Sequence, residues 1–467
     1  MLVSLGCPKN LVDSETMLAG LAQSGFITRS LLEEAQVAVI NTCAFIGSAR
    51  EEADEWIRRA SDLKRKGKLR GVVVAGCLPA LWGERVFREF PDVDAIVGPR
   101  DRARIAEACS CTLGVGGKRE RSGRVYLGNT DRLVRAAYPR AVSTGGHTAF
   151  LKISEGCNNR CSYCLIPRIR GALVSRATGS LVREAAGLAK SGVRELSIVA
   201  QDTTAYGLDL YGRASLPELL RRLSRVDGLR WLRLLYTHPA HWSEELMQTL
   251  AENAGLCKYA DVPIQHVSDK MLRFMGRRLS QKKVVRLLTN LRRYVPDVSL
   301  RTTVMVGFPG ESRADFSELT AFLKEFRFEH LGAFAYSREE GTRAARLPHQ
   351  VPEEIKAGRL REIMSLQREI CASGNRARVG ASAVVLVDKA QGDGRKGAGR
   401  TQWQAPEIDG IVRIRGSDLR AGEFYRVEME GSGDYDLFGK ALGLEVFSVD
   451  QEQGDVSEKI AVVSSTS

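Results

Sequence analysis

No uninterrupted apolar run approaches the roughly 18 residues that a membrane helix needs, so a helical membrane span is excluded and no membrane partner is expected. The segment Met1–Cys7 has neither a basic stretch nor an apolar stretch ahead of its cysteine. A secretory or lipoprotein signal is therefore not expected, and the chain is expected to stay in the cytoplasm. Short-period repeats and low-complexity tracts are also missing, which sets aside collagen, coiled-coil and mostly disordered classes. Acidic side chains are in the minority: 56 against 69 Lys and Arg, a net charge of +13. Such an excess suits an acidic partner, often nucleic acid, or simply marks a basic soluble protein. What remains is ordinary globular material, 467 residues with 43% hydrophobic and 27% charged side chains. That length suggests about two to four domains. Ten cysteines in a chain without an export signal point to metal or catalysis before disulfides.

Residues 1–113 alternate apolar runs (Met1–Leu5, Val37–Ile40, Val72–Ala75) with helical patterns, which predicts a doubly wound parallel sheet. Glycines, arginines and serines break the pattern over 114–142, read as a linker with one short strand. Alternation resumes over 143–376, with strands at Phe150–Ile153, Glu195–Val199, Trp231–Tyr236, Tyr259–Ile264, Leu300–Val306 and Leu331–Ala335. Six strand–helix units predict a partial (β/α)6-type barrel, with a long open sheet as the alternative. Residues 377–448 read as a small all-β barrel, and 449–467 as a disordered tail.

The strongest local signal is Cys157-Asn158-Asn159-Arg160-Cys161-Ser162-Tyr163-Cys164. Chance produces this cysteine spacing at any one start with odds of roughly 10⁻⁵. Three thiolates on one loop can wrap a metal centre. Zinc wants a fourth ligand, and the nearest downstream histidine is His238. A 4Fe–4S cluster on three cysteines keeps one iron open for a substrate or cofactor. The loop follows a strand, at the barrel end where such folds build active sites. Cys7, Cys43 and Cys77 each follow an apolar strand, 36 and 34 residues apart, about one βα unit each. They can converge at one sheet edge, or they can be buried core thiols. Cys109 and Cys111 read as bystanders at a helix end, and Cys257 and Cys371 as core residues in helical stretches. Gln201 and Thr203, in a Gln-Asp-Thr-Thr run, follow the second barrel strand, and Gln265 and His266 follow the fourth. Either pair can contact a cofactor or belong to an ordinary polar loop. Arg301 lies inside a strand, and a buried Arg needs a partner such as a cofactor carboxylate.

The three-cysteine loop, with an aromatic before its last cysteine, resembles the signature of the radical S-adenosylmethionine enzymes. In that superfamily the open iron chelates S-adenosylmethionine, and an electron from the cluster releases a 5′-deoxyadenosyl radical. With both cysteine sets in view, residues 1–448 resemble a methylthiotransferase. That family has an N-terminal three-cysteine domain with a second 4Fe–4S cluster, a radical S-adenosylmethionine core and a C-terminal TRAM barrel. The resemblance implies two 4Fe–4S clusters, on Cys157, Cys161 and Cys164 and on Cys7, Cys43 and Cys77. Tyr163, Gln201, Thr203, Gln265 and Arg301 are then the candidate S-adenosylmethionine contacts. The motifs Cys7-Pro8-Lys9-Asn10, Asn41-Thr42-Cys43-Ala44-Phe45-Ile46, Ile166-Pro167-Arg168-Ile169-Arg170-Gly171, Pro263-Ile264-Gln265-His266 and Tyr336-Ser337-Arg338-Glu339-Glu340-Gly341-Thr342 are similar to the ribosomal-protein branch. The transfer-RNA branch typically has Gln-Met where Pro8-Lys9 stands. The branch implies methylthiolation at the β-carbon of an aspartate in small-subunit ribosomal protein S-twelve. It also implies a sulfur donor and a reductant such as flavodoxin or ferredoxin. Relatives usually have a few more residues before the first strand.

Two other readings stay open: the same chemistry on a transfer-RNA adenosine, and a non-enzymatic iron–sulfur or zinc protein whose barrel binds RNA. Residues 379–449 carry a net charge of −2, the tail −3, and residues 1–378 the whole basic excess of +18. An RNA-gripping barrel should be basic. A mildly acidic one suits a basic protein, docked in part through Asp388, Glu428 and Asp436.

Overall fold

The computed structural model describes residues 1–115, 123–128 and 139–447. The tail read as disordered and much of the segment read as linker lie outside the described residues.

Val37–Thr42 (β2) and Gly71–Gly76 (β3) are buried at every position, as strands covered on both faces must be. With Leu2–Ser4 (β1), Ala95–Val97 (β4) and Arg124–Tyr126 (β5) they form a parallel sheet in the order β1-β2-β3-β4-β5. Alternate residues face opposite sides. Ala38 and Ile40 share a core with Ile57 of helix Gly47–Arg65. Val37 and Val39 pack with Met17 of helix Pro8–Gln23 and with Ile105 of helix Ile105–Leu113. The sheet is therefore doubly wound. β5 carries it past residue 113, into the segment read as linker.

Thr148–Lys152 (β6) leads into a two-residue strand, Ser154–Glu155 (β7), paired antiparallel with Val174–Ser175 (β8). Between β7 and β8 runs the three-cysteine loop. Glu195–Val199 (β9) and Trp231–Leu234 (β10) lie beside β6, and Tyr259–Asp261 (β11), Ser299–Val306 (β12) and His330–Ala335 (β13) form a second parallel set. A parallel bridge between Leu232 and Leu256 joins the two sets into an open six-stranded barrel. Helices such as Thr178–Lys190 and Leu216–Leu223 pack outside it through one apolar core. Cys257 lies in the loop before β11, not in a helix, and is buried.

Helix Glu353–Arg376 leads to a closed antiparallel and parallel barrel of Ser382–Ala390 (β14), Lys396–Thr401 (β15), Val412–Arg415 (β16), Phe424–Ser432 (β17) and Leu437–Leu444 (β18). It caps the end of the larger barrel where the strands begin. Glu195, the first residue of β9, receives Arg233 Nε at 2.7 Å and Arg400 Nη1 at 2.7 Å. Arg233 Nη1 also donates to Gln402 O at 2.7 Å, and Tyr259 OH to Asp409 at 2.7 Å.

Two expectations are corrected here. Arg301 does not reach a cofactor: it donates to Asp409 Oδ1 of the small barrel at 2.6 Å and locks the two barrels together. Asp388 and Asp436 are not free docking charges either. Asp388 accepts two bonds from Arg400 at 2.7 Å and pairs with His147, and Asp436 pairs with Arg413 at 3.1 Å. Only Glu428 of that trio is exposed without an ion pair among the described residues.

Replacing Glu195 by Gln leaves Arg233 buried without a carboxylate. Removing one partner of a buried pair costs about 3–5 kcal/mol, so urea unfolding followed by tryptophan fluorescence should show a loss of that size. Wild-type stability in the variant would show that apolar packing alone holds the cap.

Candidate active site with two cysteine sets

The three-cysteine loop is fixed from several elements. Gly156 opens it with φ +77°, and a Cβ there would lie 2.1 Å from Ala172 O, so only glycine lets the strands cross. Cys157 N donates to Gly171 O at 3.1 Å and Ser162 N to Met275 O at 2.9 Å. Asn158 accepts from Leu173 N at 3.0 Å, and Asn159 donates to Asp202 at 2.7 Å. The sulfurs receive their own donors: Asn159 N on Cys157 and Ile166 N on Cys164, both at 3.4 Å, and Arg277 toward Cys161 at 3.9 Å.

Cys7, Cys43 and Cys77 follow β1, β2 and β3 at one edge of the first sheet. Gly6 has φ +89°, and a Cβ on it would sit 2.6 Å from Cys43 Cβ. Asn10 Nδ2 donates to Leu5 O at 2.6 Å, and Asn41 Nδ2 returns to Asn10 O at 3.0 Å, pinning the first two turns together. Cys77 Sγ accepts from Arg170 Nη2 at 3.2 Å.

The donor sets decide what they can hold. A single tetrahedral ion with sulfur bonds near 2.3 Å gathers its ligands within about 4 Å of one another. Neither cysteine triple is so tight: among the described residues, the three potential ligands within 4.8 Å of one another are Asp202, His238 and His241. The wider triples suit a larger iron–sulfur cluster. Burial pushes the Cys157 and Cys77 thiols up to about 11 and Cys164 up to about 12. Burial also raises Cys7, but the charges of Lys9 and Arg170 outweigh it. Buried thiolates at these places need a compensating cation, which a cluster supplies.

Asp202 is hydrogen-bonded to His241, whose ring lies against that of His238 with centres 4.7 Å apart. Ala240 N donates to His238 Nδ1 at 3.2 Å, which leaves the ring proton on Nε2. Burial lowers the His238 pKa to about 3, so it stays neutral. His241 Nδ1 pairs with Asp202 at 2.8 Å.

The polar residues singled out in the sequence divide. Gln201 Nε2 donates to Glu155 at 2.9 Å, while its Oε1 is buried without a partner; Gln265 Oε1 is likewise buried and unpartnered. Two free acceptors beyond the ends of β9 and β11 fit a polar cofactor with N–H groups. Tyr163 packs edge-on against Phe308 with ring centres 6.5 Å apart. Thr203 does not serve: it is fully buried and its hydroxyl donates to Leu235 O at 2.9 Å. His266 is fully buried, accepts from Val267 N and Ser268 N on Nδ1, and meets Glu311 through Nε2 at 3.4 Å, a structural role. A cavity of about 810 Å³ between helix Glu353–Arg376 and the small barrel, lined in part by Arg378 and Trp403, holds none of these residues.

Sequence reading missed the buried ion network beneath both sets. Lys152 donates to Asp13 and, at 2.7 Å, to Glu155; Arg170 Nη1 donates to Asp13 at 2.7 Å and to Glu155 at 3.0 Å. Its signal was present: a lysine at the end of the apolar strand Thr148–Lys152, and an acid on the buried side of a helix.

Residues 151–323 match the model of the radical SAM superfamily, 1–98 that of an uncharacterized protein family, UPF0004, and 379–442 that of the TRAM domain. The chain is 44% identical to a ribosomal protein uS12 methylthiotransferase RimO of Pelotomaculum thermopropionicum, over 94% of this chain and 98% of the relative. It is 41% identical to the protein of that name from Clostridioides difficile, over 94% and 98%. Among solved structures it resembles the radical S-adenosylmethionine methyltransferase TsrM of Kitasatospora setae, with a TM-score of 0.54 at 17% identity over 72% of this chain and 74% of the other. That last likeness concerns the fold alone.

Gly6→Ala should drive a methyl group into Cys43 and break the first triple. Iron per anaerobically reconstituted chain should fall from about eight to about four. Unchanged iron content would show that the three cysteines do not act together.

Proposed function

We propose that this chain, which belongs to the RimO family of ribosomal protein uS12 methylthiotransferases, adds a methylthio group to the β-carbon of an aspartate of that ribosomal protein. One observation carries the reading. Arg170, six residues after Cys164, donates to Cys77 Sγ, so the loop that bears one cysteine set touches the other. A β-carbon hydrogen beside an ionised carboxylate is not removed by an acid–base side chain, so a radical route is chemically apt.

Cys157, Cys161 and Cys164 hold the radical-generating cluster, and Cys7, Cys43 and Cys77 the auxiliary one. When bound, a reduced cluster with an open iron supplies the electron that splits S-adenosylmethionine, and the second offers an open iron to the incoming sulfur. Around them the chain binds and orients. Gln201 and Gln265 offer their free carbonyl oxygens to the cofactor, Tyr163 backs the loop, and Asn159 ties it to Asp202. The reading divides the chain into the N-terminal sheet, the radical core and the TRAM barrel. It also requires a sulfur donor and a reductant such as flavodoxin or ferredoxin, and places the protein in the cytoplasm. No described helix is long and apolar enough to cross a membrane. The net charge of −2 over residues 379–449 favours a basic protein over RNA as the partner.

Changing Cys157, Cys161 and Cys164 together to Ala should end formation of 5′-deoxyadenosine. Changing Cys7, Cys43 and Cys77 to Ala should end methylthio product while 5′-deoxyadenosine is still made. In cells, deleting the gene should leave uS12 lighter by one methylthio group. A uS12 of unchanged mass, with a methylthioadenosine lost from transfer RNA, would overturn the substrate.

A further inference from the structure

Lys9 stands two residues after Cys7, in the first turn of helix Pro8–Gln23, and is 8% exposed. Its side chain crosses from the N-terminal domain to the barrel, where the ammonium lies 3.0 Å from the centre of the Tyr236 ring. Among the described residues no carboxylate comes within 4 Å of it, and no oxygen accepts a hydrogen bond from it. An ammonium has three donors and an aromatic face satisfies them only in part. A charge removed this far from water is costly unless it is paired.

The groups around Lys9 are few. Cys7 lies on its own helix turn, and Asp261 is the nearby acid whose charge it feels. Asp261 Oδ2 is taken by Tyr236 N at 2.8 Å, and its Oδ1 is buried without a hydrogen bond, 3.9 Å from Arg301 Nε. An unfilled donor and an unfilled acceptor therefore stand near one another where the two domains meet. The other buried cations nearby are committed. Lys152 and Arg170 are bound to Asp13 and Glu155, Arg301 to Asp409, and Arg277 to Pro263 O and Cys161.

We infer that Lys9 receives the carboxylate of the target aspartate. The inference rests on the reading above that the substrate is an aspartate side chain. That side chain must come between the two cysteine sets, because hydrogen removal belongs to one and sulfur delivery to the other. An ionised carboxylate entering so buried a place needs a cation with free donors. Lys9 offers one beside Cys7, at the auxiliary set. The pairing would also read the substrate: an asparagine offers no charge, and an apolar side chain would leave the ammonium stranded.

The test uses the reconstituted full-length enzyme and two forms of uS12, one with the target aspartate and one with asparagine in its place. Both keep a β-carbon hydrogen. Wild type should favour the aspartate form in kcat/KM by at least about tenfold. Lys9→Met should bring that ratio close to one, chiefly through the aspartate form, and Lys9→Arg should restore much of the preference. Binding of the two forms, followed by fluorescence anisotropy, should show the same collapse. A Lys9→Met enzyme that keeps the wild-type preference overturns the inference. So does one that loses iron, or that slows on both forms alike, because Lys9 would then serve Cys7 or the fold. If wild type modifies neither form, the reading of the substrate fails, and the inference with it.

Discussion

Asp13, Lys152, Glu155 and Arg170, joined by Arg102 at 3.3 Å from Asp13, form a network of buried charges from which both cysteine sets hang. Asp13 lies six residues after Cys7, Glu155 two before Cys157 and Arg170 six after Cys164. Burial alone would raise the Glu155 carboxyl, but Arg170 and Lys152 outweigh it and hold it well below the usual carboxylate range. Such a network is a poor source of net stability, since well-packed apolar side chains often do as well. Its value is geometric. Two acids and three cations satisfy one another only when the helix after Cys7, the strand before Cys157, the segment after Cys164 and the turn that carries Arg102 are in register. One N–H of Arg170 is left over for Cys77, and Asn10 Oδ1 accepts another at 3.1 Å. The separation of the two cysteine sets is thus set by short polar bonds and not by the fit of greasy surfaces.

The barrel has two unlike ends. Beyond the strand ends lie the cysteine loop, the free oxygens of Gln201 and Gln265, and the N-terminal domain. At the strand starts a polar floor is built with the TRAM barrel, in which Glu195, Arg233, Arg400, Asp409 and Arg301 pair across the boundary. A buried arginine in a barrel strand looks the same in sequence at either end. Whether it meets a cofactor or a neighbouring domain depends on a partner about a hundred residues away. That is why Arg301 was misread, and why Asp388, which meets Arg400 and His147, looked like a surface charge.

The sequence showed most plainly what is local. The apolar runs before Cys7, Cys43 and Cys77 are strands, and the loop of Cys157, Cys161 and Cys164 follows one. It showed least where glycine serves close packing. Lys396–Thr401 and Leu437–Leu444 each carry two glycines, which weaken a strand pattern, yet they are strands. A Cβ at Gly399 would lie 2.2 Å from Leu386 O, and one at Gly439 2.6 Å from Glu428 O. Thr203 sat where a cofactor contact was expected, but its hydroxyl closes onto the next strand. The meeting of Lys9 with Tyr236 joins residues more than two hundred positions apart, and no spacing rule reaches that far.

The polar floor has a consequence for how the protein is made. A chain leaves the ribosome N-terminus first, so every strand of the large barrel emerges before Arg400, Gln402 and Asp409 exist to meet Glu195, Arg233 and Arg301. Until that last stretch arrives, three charged side chains destined for burial stand in a barrel with no bottom. Completion of the polar floor therefore waits on the end of synthesis, and a ribosome that stalls late releases a barrel whose strands and apolar core are all present and whose floor is missing.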